Sequence, residues 1–187
     1  MRWVVRSLLV IALLCLVAVL QFNFSGTSMS NLESLASAGR IHESAPIKAS
    51  VEVVIDAPPD VVWKILTNIN DWPKWQPGIT KTDAPTSLVS GSTFIWTIGG
   101  NKVHSRVKLI EPGRRIAWAG SAFDSRAVHV WTLEPLAGGK TRISSNESMD
   151  GILLSHMFSS KELADSDQDW LHALKAAAEK QLVSSSK

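Results

Sequence analysis

A chain of 187 residues, 45% hydrophobic and 19% charged, has the makeup of one globular domain with an appendage rather than a disordered polymer. Its net charge of +2 is too small and too scattered to argue for nucleic acid as a partner. The single cysteine, Cys15, excludes an intramolecular disulfide and leaves the rest of the chain without thiol chemistry.

At the N-terminus, Arg2 and Arg6 precede an unbroken apolar stretch from Leu8 to Leu20. Such a run suits a secretory h-region and falls short of the ~20 residues of a full span, although Ser7 to Phe24 is marginally long enough to cross. No small-x-small cleavage site lies close behind it; Ala36-Ser37-Ala38 fits but is far downstream. Residues 1–24 are read as an uncleaved signal-anchor with its arginines on the cytoplasmic side and the domain outside the cytoplasm. A cleaved signal peptide, giving a secreted or periplasmic product, is the alternative. Residues 25–46, rich in Ser, Ala and Gly, are read as a flexible linker, and residues 47–187 as the domain.

"IKASVEVVIDAPP" predicts a strand in which Val51, Val53 and Ile55 alternate with Glu52, Val54 and Asp56. Pro58 and Pro59 suit the first turn of a helix, and "DVVWKILTNI" places Val61, Ile65 and Ile69 on one face beside Val62 and Leu66. Pro73 and Pro77 then forbid a long continuation, so "INDWPKWQPGI" at 69–79 is at most a short, broken helical turn carrying Trp72 and Trp75. Turn signals at Gly91, Gly99-Gly100-Asn101, Pro112-Gly113 and Gly138-Gly139 separate five runs of strand character, at 92–98, 102–110, 114–120, 127–133 and 141–149. Short links of this kind predict an antiparallel meander. Gly151 to Phe158 suits a short lead-in helix. Ser159-x-x-Glu162 is a capping box, and Leu163, Trp170, Leu174, Ala177 and Ala178 form the stripe of a long helix to about Leu182.

This order, with "APPDVVWKILTNINDWPKWQPGI", "EPGRRIAWAG", "AVHVWTLEP" and "NESMDG", resembles the START-like superfamily, also called Bet v 1-like or SRPBCC, and within it the polyketide cyclase/dehydrase-type members. The resemblance covers about residues 48–182. It implies an α+β helix-grip fold: a seven-stranded curved antiparallel sheet wrapped around the C-terminal helix, with a cavity between. It further implies that Trp72 and Trp75 close an end of that cavity, with Pro73 and Pro77 stiffening them. Its members bind lipids, sterols, polyketides or aromatic hormones, and some catalyse ring closure or dehydration; membership alone names no activity.

Eight Trp with no Tyr suit a pocket wall, since an indole offers a large apolar body and one N–H. Alternation puts His129 and Trp131 on one face with Ala127 and Leu133, against Val128, Val130 and Thr132. Both faces are partly apolar; the recurrence of a His-x-Trp pair in the look-alike family selects the first as inward. Ile143 and Met149 carry Glu147 inward with Ser145. Phe94 with Trp96, Ser105, and Trp118 extend the lining by the same reasoning, and Trp75 and Trp170 complete the expected ligand-binding set. His129 and Glu147 are the candidate acid–base pair, on the argument that burial moves both pKa values toward neutrality. The plainer reading of that pair is a buried hydrogen-bonded contact or an anchor for a ligand's polar end.

No nucleophile elbow, phosphate loop or zinc motif is present, and the five histidines lie at no metal-ligand spacing, so neither metal nor cofactor is expected. The expected function is binding, transport or sequestration of a hydrophobic small molecule, with the membrane as partner through the N-terminal segment. A cyclase/dehydratase-type enzyme using Glu147 and His129 is the alternative. Oligomeric state is not readable from the sequence.

Overall fold

The computed structural model describes residues 27–185, together with Ile11 and Leu13. Apart from those two positions the N-terminal apolar run lies outside the described residues, and so does its reading as a signal-anchor. Among the described residues no helix is long and apolar enough to cross a membrane.

The chain forms α1 (Met29–Ser37), β1 (Ile47–Ile55), α2 (Pro59–Thr67), a 3₁₀ turn (Ile69–Lys74), β2 (Ile79–Asp83), β3 (Thr93–Ile98), β4 (Asn101–Glu111), β5 (Arg115–Ala122), β6 (Ser125–Leu136), β7 (Lys140–Asp150), α3 (Leu154–Met157) and α4 (Ser160–Ser185). The seven strands make one antiparallel sheet in the order β1-β7-β6-β5-β4-β3-β2. Every link but the β1–β2 crossover joins neighbours. β3 and β4 meet through Gly99 and Gly100, both at positive φ (54° and 80°), which a two-residue hairpin turn with the sheet's own twist requires. This is the α+β helix-grip architecture, with α4 held by the sheet.

α4 begins where the capping box puts it. Glu162 Oε2 accepts from the Ser159 backbone N–H at 2.8 Å, and Ser159 Oγ accepts from the Glu162 N–H at 3.2 Å. Its 26 residues extend about 39 Å. Trp170, Leu171, Leu174 and Ala178 bury against Ile55 of β1, Leu66 of α2, Trp131 and Leu133 of β6 and Ile143 of β7. Apolar burial of this size dominates the stability of such a fold.

The opposite face of the sheet corrects the reading of 25–46 as a flexible linker. Ser28 caps α1 by accepting from the Asn31 N–H, and Leu32 and Ala36 are fully buried over Ala117, Ala119, Val128 and Val130. The alanines on β5 let the helix approach closely. Glu33 of α1 pairs with Lys108 at 3.1 Å and Arg106 at 3.6 Å on β4. The return segment is tied to β7, where the His42 backbone N–H donates to Ser148 Oγ and its ring lies 2.9 Å from Asp150.

β2 also goes beyond the runs read from the sequence. Only Ile79 of its five residues is buried, so this short edge strand carries almost no apolar alternation.

Candidate functional site

Residues 69–79 form the 3₁₀ turn and the chain leading into β2. Trp72 is fully buried, and its Nε1 donates to the Leu66 carbonyl at 2.8 Å, satisfying one of the free carbonyls at the end of α2. Its ring meets Trp170 (5.2 Å between centroids), Phe94 (5.8 Å), Trp96 (5.9 Å) and Trp118 (6.0 Å). The interior beside α2 is therefore occupied by the protein's own indoles, and Trp72 is a core plug rather than a cavity wall. Trp75 is half-buried against the same core and does not border the cavity.

Trp96 Nε1 donates to Ser105 Oγ at 3.0 Å, which gives Ser105 a structural task. Gly120 makes room for it, since a Cβ there would lie 2.8 Å from that oxygen.

Farther along the sheet, the register places Trp118, His129 and Glu147 in one row on adjacent strands. His129 is 2% exposed, with Trp131 at 4.7 Å, Trp118 at 5.1 Å and Trp170 at 5.8 Å between ring centroids. Its Nε2 lies 2.6 Å from Ser145 Oγ and its Nδ1 3.5 Å from Glu147 Oε2. Asp167 enters from α4. One ligand atom each of His129, Glu147 and Asp167 lie within 4.8 Å of one another. Asp167 is buried, and no donor reaches its Oδ2.

Burial sets the protonation of this cluster. It pushes the His129 imidazole down from 6.5 to about 3, so the ring is neutral at physiological pH. That corrects the expectation of a near-neutral pKa: the ring is boxed by indoles and gains no compensating charge. Glu147 is held well above its ordinary range, first by burial, then by the charge of Asp167 and a hydrogen bond with it. Asp167 is raised by burial to about 7, against the opposing pull of hydrogen bonds with Glu147 and Ser145. Both carboxyls are thus shifted toward the protonated form beside a neutral imidazole. The His129–Glu147 contact is not an ion pair in this state.

The cluster forms the polar end of a cavity of about 480 Å³. Trp96 and Ile98 wall it from β3, Met149 from β7, Leu154 and Met157 from α3, and Leu163 and Trp170 from α4. The β5–β6 turn lies at the rim, where Phe123 is 95% exposed.

Of the ligand-binding set read from the sequence, Trp96, Glu147 and Trp170 border this cavity. Phe94, Trp118 and Trp131 face inward but pack on other side chains; His129 stands behind Glu147; Ser105 serves Trp96, and Trp75 lies elsewhere. Asp167 was missed, yet it had a signal. It falls four residues after Leu163 and three before Trp170, a carboxylate inside an apolar helical stripe. Met149 was placed on the inward face but not in the site. The rim residues Phe123, Leu154 and Met157 had no periodic pattern to mark them.

A family model described as polyketide cyclase/dehydrase and lipid transport matches residues 46–179. No curated protein matches the chain. Solved structures with this fold include a hypothetical protein from Helicobacter pylori, 22% identical with a TM-score of 0.66, covering 73% of this chain and 90% of that one. An aromatase/cyclase from Streptomyces sp. R1128 is 17% identical with a TM-score of 0.60, covering 72% and 94%. A START superfamily protein from Mycobacterium smegmatis is 14% identical with a TM-score of 0.63, covering 72% and 98%. With a helix-grip fold like that of these structures and a family match over most of its length, the chain belongs to the polyketide cyclase/dehydrase and lipid transport family.

Proposed function

We propose that the domain binds one hydrophobic small molecule, lipid or polyketide-like, with its apolar body in the cavity and its polar end at Glu147 and Asp167. The observation that carries this reading is the cavity's asymmetry: its mostly apolar walls enclose about 480 Å³ and carry the Glu147–Asp167 carboxyl pair at one end. Volume and lining fall within the usual range of small-molecule sites.

The membrane partnership is part of the proposal. The described chain begins at Thr27, whose carbonyl accepts from Arg126, directly after the β5–β6 turn. In this reading the N-terminal apolar run tethers the domain outside the cytoplasm, and the chain enters the domain near the β5–β6 turn. Phe123, Leu153 and Met157, 95%, 52% and 81% exposed, rim that mouth. Apolar side chains there suit uptake from a lipid surface.

The 3.5 Å between His129 Nδ1 and Glu147 Oε2 favours a second reading, a cyclase/dehydratase-type enzyme. In it the protonated carboxyl of the Glu147–Asp167 pair is the acid and its ionised partner the base, with the neutral imidazole positioning Glu147 from behind.

Native mass spectrometry of the full chain in detergent, followed by organic extraction, tests the binding reading. One apolar molecule per chain is expected, bound more weakly in Met149→Trp, which puts a larger side chain into the cavity. Wild-type protein carrying no such molecule, and taking up none from mixed lipid vesicles, overturns it.

A further inference from the structure

We propose that His129, Glu147 and Asp167 form a binding site for one divalent transition-metal ion, of the zinc, manganese or iron(II) class, at the polar end of the cavity. The three donors come from β6, β7 and α4, and their ligand atoms already converge within 4.8 Å of one another. Metal–ligand bonds of about 2.0–2.2 Å separate neighbouring donors by roughly 3–3.5 Å. The 3.5 Å from His129 Nδ1 to Glu147 Oε2 lies at the edge of that range with no rearrangement of the strands.

Three further features point the same way. Asp167 is 2% exposed, it borders the cavity, and its Oδ2 has no hydrogen-bond donor. A buried carboxylate oxygen without a partner is costly, and a cation satisfies it. Ser145 Oγ holds the opposite ring nitrogen at 2.6 Å, which orients the imidazole as an outer hydrogen bond orients a metal-bound histidine. The charges also balance. Two carboxylates and a neutral imidazole sum to −2, and no lysine or arginine is among the groups acting on either carboxyl. A divalent ion makes the buried site neutral.

One nitrogen and two oxygens form a donor set for zinc, manganese or iron(II) rather than for soft, thiolate-seeking ions. Glu147 and Asp167 border the cavity, so the remaining coordination positions open onto the space of the guest. The metal displaces protons from the carboxyls it binds, and these leave to solvent. This site does not depend on which molecule the cavity takes.

The test uses the untagged full chain, stripped with a chelator and dialysed against zinc, manganese or cobalt(II) at micromolar concentration. Elemental analysis is expected to find one ion per chain, with proton release on binding. Cobalt(II) is expected to show visible bands of nitrogen–oxygen ligation and to quench tryptophan emission, His129 being surrounded by indoles. Asp167→Asn and Glu147→Gln should each weaken binding by at least about tenfold, as should Ser145→Ala through the ring's orientation. Far-UV circular dichroism identifies the folded variants, and either carboxyl variant alone suffices. Wild-type protein that retains no ion, or retention unchanged in a folded carboxyl variant, overturns the site. Bound guest is measured on the same chelated samples, so loss of the metal and loss of the guest are read separately.

Discussion

Ser145 Oγ lies 2.6 Å from His129 Nε2, and Glu147, two residues farther along β7, faces the other nitrogen of the same ring. One strand thus supports the imidazole on one side and presents a carboxyl on the other. Replacing Ser145 by alanine orphans a buried ring nitrogen. The expected cost is about 1–3 kcal/mol in urea unfolding. A loss below about 0.5 kcal/mol contradicts the support role.

Protonation makes the same ring an acid-sensitive element. Its folded pKa of about 3 lies below the ordinary 6.5, so the unfolded chain binds the extra proton first. Stability from this group is present above 6.5 and is lost as pH falls from there through about 3. Two-dimensional NMR of the His129 ring should show no titration down to about pH 4. A midpoint near 6 contradicts the neutral-ring assignment.

Asp167 works in the opposite direction. Its folded pKa of about 7 exceeds the ordinary 3.8, so between those values the folded chain holds the proton and the unfolded chain has released it. The cost is absent below 3.8 and grows until about pH 7. In chelator, Asp167→Asn should gain stability over wild type across that window, reaching a few kcal/mol at neutral pH. A pH-independent difference in urea midpoints contradicts the buried-acid assignment.

The family resemblance, where alternation left both faces open, put His129 on the same face as Glu147, and the capping box marked the start of α4; the register pairs His129 with Glu147, and the cap is formed. The alternation was ambiguous on β5 and β6 because α1 buries the outer face too, on Ala117, Ala119, Val128 and Val130. α1 itself was hidden by Ser- and Ala-rich composition, although Met29, Leu32, Leu35 and Ala36 follow helical spacing. Periodicity also cannot tell a side chain that meets a guest from one that meets a neighbour. Trp72, arriving from a proline-interrupted turn, fills the space that Phe94 and Trp118 would otherwise have lined. The convergence of β6, β7 and α4 on one polar cluster is a product of the curved sheet, and no spacing along the chain encodes it.

Gly120 sits against Ser105 in the packed interior. An added Cβ there meets Ser105 Oγ at 2.8 Å and the His104 carbonyl at 3.2 Å, and Ser105 cannot yield without releasing Trp96 Nε1. Gly120→Ala should cost about 1–3 kcal/mol by overpacking. Thermal unfolding together with the emission of Trp96 reads both effects. An unchanged midpoint contradicts the close fit.

Phe123 carries the only non-glycine positive φ among the described residues, +47°, at a turn where its side chain is 95% exposed. Neither packing nor backbone preference explains an aromatic there; glycine relieves strain of about 1 kcal/mol or more. Phe123→Gly should therefore be more stable than wild type by about that amount. The proposed membrane-facing mouth predicts a second, opposite effect. Uptake of a fluorescent fatty acid from vesicles by the full chain should slow several-fold in Phe123→Gly, while affinity for the same molecule in detergent is unchanged. A variant that gains stability and loads as fast as wild type removes Phe123 from the proposed uptake route and leaves the strain at this turn without a functional account.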